Sequence, residues 1–517
     1  MTANAVVTPH RLSAEAGRAV LEAGGNAVDG AVAAIAAQGV VAPETCGVGG
    51  DLFALIHAPG WEAPRALNSS GRAGSGVSAE SLRASGVGSI PGDHPAAVTI
   101  PGCVDGMETL VSELGRLGLS DVLAPAVALA RDGFEVSTEQ ARAFSRQADV
   151  YSANPAVSSF YPNGQPVGKG EHVVRTDLAR TLEEVAAHGR SAFYEGRPAE
   201  DIVEALGGSI TLEDMRESQA SWVEPISAGV AGLTGWTIPP NSQGYLGPAT
   251  LAVFEMLGPH DDPDDPTWWH LLIEAYRCLA WERDDLVADP ANLALPADRL
   301  LDRERLERAA ERVDRDRSGV WPKQMGATAS TAYLCVADAD GMAVSMIQSN
   351  YRVTGSPFGA ARSGFLLQDR GMGFTLMPGH PNELAPGKRP LHTLSPTLWT
   401  KGDQPRWILG TRGGAVQPQL IAQVGAAAIL AGDPLDRAQA RSRWAVSDFG
   451  PGIPAKPAFE PGFHVEGLAD LRARGHDVSV LDSPQPGWGP VSIIELDGDV
   501  RQAAADPRVD TTSALVF

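Results

Sequence analysis

The segment from Ser330 to Asn350 constrains this chain more than any other. Thr331-Ala332-Tyr333-Leu334-Cys335-Val336-Ala337 and Met342-Ala343-Val344-Ser345-Met346-Ile347-Gln348-Ser349-Asn350 are β-rich runs. Asp338-Ala339-Asp340-Gly341 between them has turn chemistry, so the segment is expected to fold as a hairpin. Its first strand opens with Thr331, which follows small and polar residues from Gly326 to Ser330. If the peptide bond before Thr331 is cut, the residue carries a free α-amine, ordinarily of pKa about 7.7–8.0. That amine can act as base for the threonine's own hydroxyl, so one residue supplies nucleophile and base. Ordinary hairpins also contain threonines, and on these residues alone a structural hairpin is the commoner explanation.

A chain of 517 residues, 43% hydrophobic, is long enough to bury a large core. A formal charge of −22 argues against nucleic acid, whose phosphates need basic partners. Four cysteines, Cys46, Cys103, Cys278 and Cys335, make no disulfide framework. There is no CxxC pair, and no HExxH among the eleven histidines, so no metal site is expected, and no organic cofactor either, since a threonine amine, its hydroxyl and a backbone oxyanion hole suffice for acyl transfer. The N-terminus lacks a basic segment followed by an apolar one, and no apolar run reaches about 18 residues. The expectation is a cytoplasmic protein without a membrane span.

Along the chain, residues 13–23 read as a helix with Ser13 as N-cap, stopped by Gly24-Gly25. A wholly apolar helix near 30–41 belongs in a core. Gly47-Val48-Gly49-Gly50 precedes the strand Leu52–Ile56 instead of following one, which rules out a dinucleotide-binding turn. Helical periodicity dominates from about 104 to 206 and returns in the helix carrying Trp268, Leu271, Leu272, Ala275 and Leu279. After Gly341 the pattern is strand-rich, apart from a helix at about 417–431. Trp407–Gly410 reads as a strand. Gly413-Gly414 would then present free backbone N–H groups near a helix start, or simply form a tight turn.

Taken in order, the motifs resemble those of the γ-glutamyltransferase family of N-terminal nucleophile hydrolases. The likeness runs from Gly24-Gly25-Asn26-Ala27-Val28-Asp29 and Gly47–Gly50 through Ile100-Pro101-Gly102, Ala130–Phe134 and Phe193–Gly196. It continues through Pro239-Pro240, Lys388-Arg389-Pro390-Leu391, Ser395-Pro396 and Gly413-Gly414 to Asp506-Pro507-Arg508. The resemblance implies an α+β fold, the αββα four-layer sandwich. It also implies a precursor that cuts itself before Thr331 into a large portion, 1–330, and a small one, 331–517, which stay together as one folded unit. The turn register selects Thr331 over Ser330, which would flip to the other face of the strand. By the same resemblance Gly413 and Gly414 form the oxyanion hole, Ser349 hydrogen-bonds the nucleophile, and Asn350 corresponds, one residue out of step, to a substrate-contacting asparagine.

The chain also departs from the family pattern. The arginine that grips the γ-glutamyl α-carboxylate is replaced by Thr99, and the aspartate that holds the α-amine by Gly373. Arg370 lies in that latter segment, Arg412 adjoins the glycine pair, and His392-Thr393 stand where the family has paired serines, so these residues, with Thr99 and Asn350, are the candidate substrate contacts. Arginine binds carboxylates bidentately, so Arg370 or Arg412 is expected to hold an acidic acyl group, each also being explicable as a structural arginine. The stretch 377–387 is shorter than the lid of the transferases, which suggests a more open site. The combination resembles the family's acylase and amidohydrolase branch, acting on a small carboxylate-bearing substrate. The other readings are a true γ-glutamyltransferase, a pathway enzyme cleaving a C–C bond beside a carbonyl, and an uncleaved scaffold. A homo-oligomer of the processed pair is compatible with all of them.

Overall fold

The structure is a computed structural model and describes residues 3–321, 330–352, 354–446, 456–498 and 500–517. Two sheets form its centre. The first has seven strands in the spatial order Ser513–Val516, Ala5–Thr8, Ser330–Ala337, Ala343–Tyr351, Asp51–His57, Arg65–Ser69, Ser221–Val223. The second has six, in the order Val500–Ala504, Val491–Asp497, Gln404–Thr411, Thr397–Lys401, Leu233–Thr237, Ile226–Val230. Phe53, Leu55, Tyr333, Cys335 and Ile347 of the first sheet pack on Leu398, Ile408 and Ile494 of the second. The opposite faces are each covered by helices, which gives the expected αββα sandwich.

Two covered faces explain why the central strands are apolar on both sides. Ala332, Leu334 and Val336 face the helical layer that contains Ala27–Val41, and Tyr333 and Cys335 face the other sheet. All fifteen residues of that helix are buried. It starts at Ala27 rather than near residue 30, because Asn26 and Asp29 close a capping box around its first turn. The preceding helix is Arg11–Glu22, capped by the His10 ring instead of Ser13. Ser13 Oγ instead donates to Ala34 O at 2.6 Å, tying the two helices together. On the far side, Leu246–Met256, Pro266–Ala280 and Gln417–Gly425 form the second helical layer. The last of these continues as a π-helical turn, Ala426–Leu430, so the expected helix at 417–431 changes its hydrogen bonding midway.

The hairpin forms as expected, with Ala337 opposite Ala343 and Gln348 opposite Ala332. Asp338 closes its turn by accepting from the N–H groups of Asp340 and Met342. Its other oxygen accepts from Ala27 N–H at 2.9 Å. One carboxylate thus fixes the hairpin turn and caps the buried helix. The four cysteines are buried and free. No helix among the described residues is long and apolar enough to cross a membrane.

Candidate active site

At the end of the hairpin away from its turn the pairing register shifts, between Gln348 and Tyr351, and Tyr351 comes to lie opposite Ser330. Thr331 is fully buried and faces the seam between the sheets, as do Tyr333 and Cys335 at the same strand phase. Its Oγ1 donates to Ser349 Oγ at 3.3 Å. Ser349 Oγ in turn accepts from Tyr351 N–H at 2.8 Å. The residues immediately upstream, 322–329, which include Gly326, lie outside the described residues.

Ser349 sits opposite Asp51 in the neighbouring strand. Asp51 is wholly buried, with Oδ1 accepting from Gly71 N–H at 2.8 Å and Oδ2 lying 3.1 Å from His392 Nε2. Burial and the Arg370 guanidinium push His392 down to about 3, so its ring is neutral. Its Nδ1 accepts from Leu394 N–H, which leaves the proton on Nε2, donated to Asp51. Phe53 packs edge-on against this ring at 4.7 Å. His392 is therefore packed and hydrogen-bonded to a carboxylate that the sequence reasoning did not single out.

Arg370 is fully buried too. Its guanidinium carbon stands 4.0 Å from the centroid of the Tyr351 ring, and Nη1 donates to Thr393 Oγ1 at 3.3 Å. The nearest carboxylate to Nε is Asp51 Oδ2, at 4.0 Å, and neither Nε nor Nη2 has a hydrogen-bond partner. Burial lowers this guanidinium to about 10, so it stays charged at neutral pH. Two donors of a buried cation thus lack acceptors, a costly arrangement that an anionic ligand would satisfy.

The glycine pair lies on the partner sheet. Gly410 packs its α-carbon against the Tyr333 ring, two residues along the strand from Thr331, and the chain then turns through Gly413 (φ +126°) and Gly414 (φ +60°). Both angles favour glycine. Neither N–H donates to an acceptor among the described residues. Gln243 links this loop to the His392 segment by donating to Gly414 O at 3.0 Å and Thr393 O at 3.2 Å.

Three expected residues are placed differently. Arg412 turns away from this cluster into an ion pair with Glu139 at 2.6 Å, and further donates to the carbonyls of Pro486 and Gly489. Its donors are occupied, as in a structural arginine. Asn350 points to the helix-facing side of its strand, where it lines a small cavity with Gly39, Val40, Cys46 and Gly47. Tyr351, one residue on, carries Arg370 instead. Thr99 is buried and bonded through its carbonyl and hydroxyl to Gln368 Nε2. Thr331, Ser349, Asp51, Arg370 and His392 are all fully buried.

One group among the described residues has metal-ligand spacing: His270, Glu274 and His476, away from Thr331 in the second helical layer. Its own bonds already occupy all of it but His476 Nδ1. His270 Nε2 donates to Asp314 O, its Nδ1 accepts from His476 Nε2 at 2.8 Å, and Glu274 is engaged by Arg277, Gly319 N–H and Trp321 Nε1. The donor set suits a neutral histidine pair beside an ion pair, not a cation.

A family model described as gamma-glutamyltranspeptidase matches residues 13–516. The chain is 36% identical to a glutathione hydrolase-like YwrD proenzyme of Bacillus subtilis (strain 168), over 98% of each chain. It is 34% identical to an oxamate amidohydrolase proenzyme of Klebsiella pneumoniae, covering 98% of this chain and 97% of that one. Among solved structures, cephalosporin acylase from Bacillus halodurans is similar with a TM-score of 0.91 and 32% identity, covering 99% of this chain and 96% of that one.

Proposed function

This chain belongs to the γ-glutamyltranspeptidase family, and from that premise we propose that it is a self-processing threonine hydrolase of small, carboxylate-bearing acyl substrates. In the maturation step, Thr331 Oγ attacks the carbonyl carbon of Ser330 and the C–N bond to Thr331 breaks. The nitrogen, which already bears the amide proton, takes the hydroxyl proton and becomes a free amine, and water hydrolyses the resulting ester. In turnover, that amine takes the hydroxyl proton as Oγ attacks the substrate carbonyl. The same proton then goes to the leaving group, and water releases the acyl group. Ser349 orients Oγ, and the N–H groups of Gly413 and Gly414 receive the oxyanion. No cofactor is required for these steps.

The observation that carries the substrate class is Arg370: buried, charged, and with Nε and Nη2 unmatched. A single carboxylate would satisfy both donors in one bidentate contact. Amide-hydrolysing relatives, named for oxamate and cephalosporin substrates, agree with that reading. The γ-glutamyl alternative loses support from Gly373, where a Cβ would lie 2.6 Å from Leu391 O and leaves no room for an ammonium-binding side chain.

The test combines mass spectrometry of the purified protein with hydrolysis assays. Two polypeptides, residues 1–330 and 331–517, are expected, with Thr331→Ala remaining whole and inactive. Among matched anilides, oxalyl and glutaryl should outrun γ-glutamyl. Full activity in a chain that stays uncut would defeat the mechanism, and a clear preference for γ-glutamyl would defeat the substrate class.

A further inference from the structure

Resting on the reading just given, we infer that Tyr351 is a positioning and specificity-determining residue that couples recognition of the acyl carboxylate to the nucleophile. Two independent features of this one residue point there. Its backbone sits at φ +74°, a strained left-handed conformation that a bulky aromatic residue rarely adopts. Glycine would relieve that strain. The conformation nevertheless brings Tyr351 N–H to Ser349 Oγ at 2.8 Å, and Ser349 Oγ is the acceptor of the Thr331 hydroxyl. The same turn of the backbone aims the ring at Arg370, whose guanidinium carbon lies 4.0 Å from the ring centroid. Asn350, the neighbour whose residue type invites a substrate contact, faces the other side of the strand.

The guanidinium has one side-chain hydrogen bond, to Thr393, and its Asp51 contact is long. The Tyr351 face is therefore what defines the plane in which Nε–H and Nη2–H can meet a carboxylate. A cation over an aromatic face in a desolvated site is held firmly, and a flat ring constrains tilt in a way an aliphatic side chain does not. The backbone half of the device serves the nucleophile and the ring half serves the substrate. Removing the ring should then affect acid recognition without removing the N–H that orients Ser349.

The experiment uses the processed enzyme and two anilides of equal length, glutaryl and pentanoyl, which differ in the terminal carboxylate. The ratio of their kcat/KM values is compared in wild type, Tyr351→Phe, Tyr351→Leu and Tyr351→Gly. Phenylalanine keeps the aromatic face and should hold the ratio within about threefold. Leucine and glycine should lower it on the order of tenfold or more, chiefly through KM of the glutaryl substrate. Glycine accepts φ +74° without strain, so it keeps the test valid if the leucine variant fails to fold or to process. A ratio in Tyr351→Gly equal to wild type would overturn the coupling while leaving the proposed function intact. Absence of any preference for glutaryl in wild type would overturn the substrate reading itself, and the coupling with it.

Discussion

Arg370 shows what one residue can disclose when its burial is weighed against its bonds. A guanidinium removed from water loses several kcal/mol of solvation unless its donors are matched, and two of its nitrogens here are not. On the proposed function, the stability given up there is recovered when a substrate carboxylate meets these donors. Replacing Arg370 by methionine, which fills similar space without charge, is expected to raise the melting temperature of the ligand-free enzyme. The same change should cost on the order of 2–5 kcal/mol in the kcat/KM of carboxylate-bearing substrates. Calorimetry and kinetics on one preparation check both signs. A lowered melting temperature would show that Arg370 is structural. Arg412, by contrast, is paired with Glu139 and should give the opposite pattern, losing stability on truncation without a change in acyl preference. Legibility differed between these two. Both arginines were visible in the sequence as neighbours of family motifs, but which was already satisfied depended on Glu139, far away in the chain. Asp51 had no signal beyond its place after a glycine run, since its partners Gly71 and His392 come from separate segments.

At the scale of elements, the hairpin is stabilised from outside itself. Asp338 holds the turn through the N–H groups of Asp340 and Met342 and caps the helix Ala27–Val41 at its first residue. Asp338→Ala would leave the Ala27 N–H buried and unmatched and loosen the turn that sets strand register. A loss of about 2–4 kcal/mol is expected from those combined effects, read from the denaturant midpoint. Because Thr331 lies seven residues from that turn, maturation should slow in the same variant, followed as the rate of appearance of the smaller fragment. Normal stability with normal processing would contradict this account. Helix and strand types were largely legible, because the apolar patterns and glycine stops act locally. Starts were less so. Ser13 was the expected cap but His10 is the actual one, and the helix expected from about residue 30 begins at Ala27. Both shifts come from side chains competing for the same few free N–H groups, a competition decided by tertiary packing. The bulge between Gln348 and Tyr351 had no sequence mark at all.

Across the whole molecule, buried titratable groups set the response to acid. Burial pushes His392 and His476 down to about 3 and His10 to about 4, and lowers His57 and His270 as well. A histidine depressed in the folded state binds its proton more readily when unfolded. Each therefore removes stability as pH falls from about 6.5 towards its folded value, at about 1.4 kcal/mol per pH unit. Three acids act in the other direction: burial raises Asp369 to about 6, Glu44 to about 8 and Glu495 as well, so each stabilises the folded state as pH falls through its raised value. The histidines outnumber the acids below pH 6, so stability should decline from pH 6 to 4.5. Between 7 and 8, Glu44 alone makes it fall with rising pH. His392→Gln should flatten the acid limb by about one proton, measured as melting temperature against pH. An unchanged slope would mean that His392 is charged in the folded protein.

The sequence by itself determined the layers and the chemistry class. Apolar runs on both faces of the central strands demand cover on both sides, and the ordered glycine, proline and acidic motifs identify the family. Those signals are local, or depend only on order along the chain. Only the tertiary structure decided which charged side chains are matched. That property belongs to distances between remote segments: Arg370 stacks on Tyr351 and lies beside Thr393 and Asp51, while Arg412 is taken by Glu139. The cost of an unmatched buried charge exists only once water has been excluded, and in this chain folding alone excludes it.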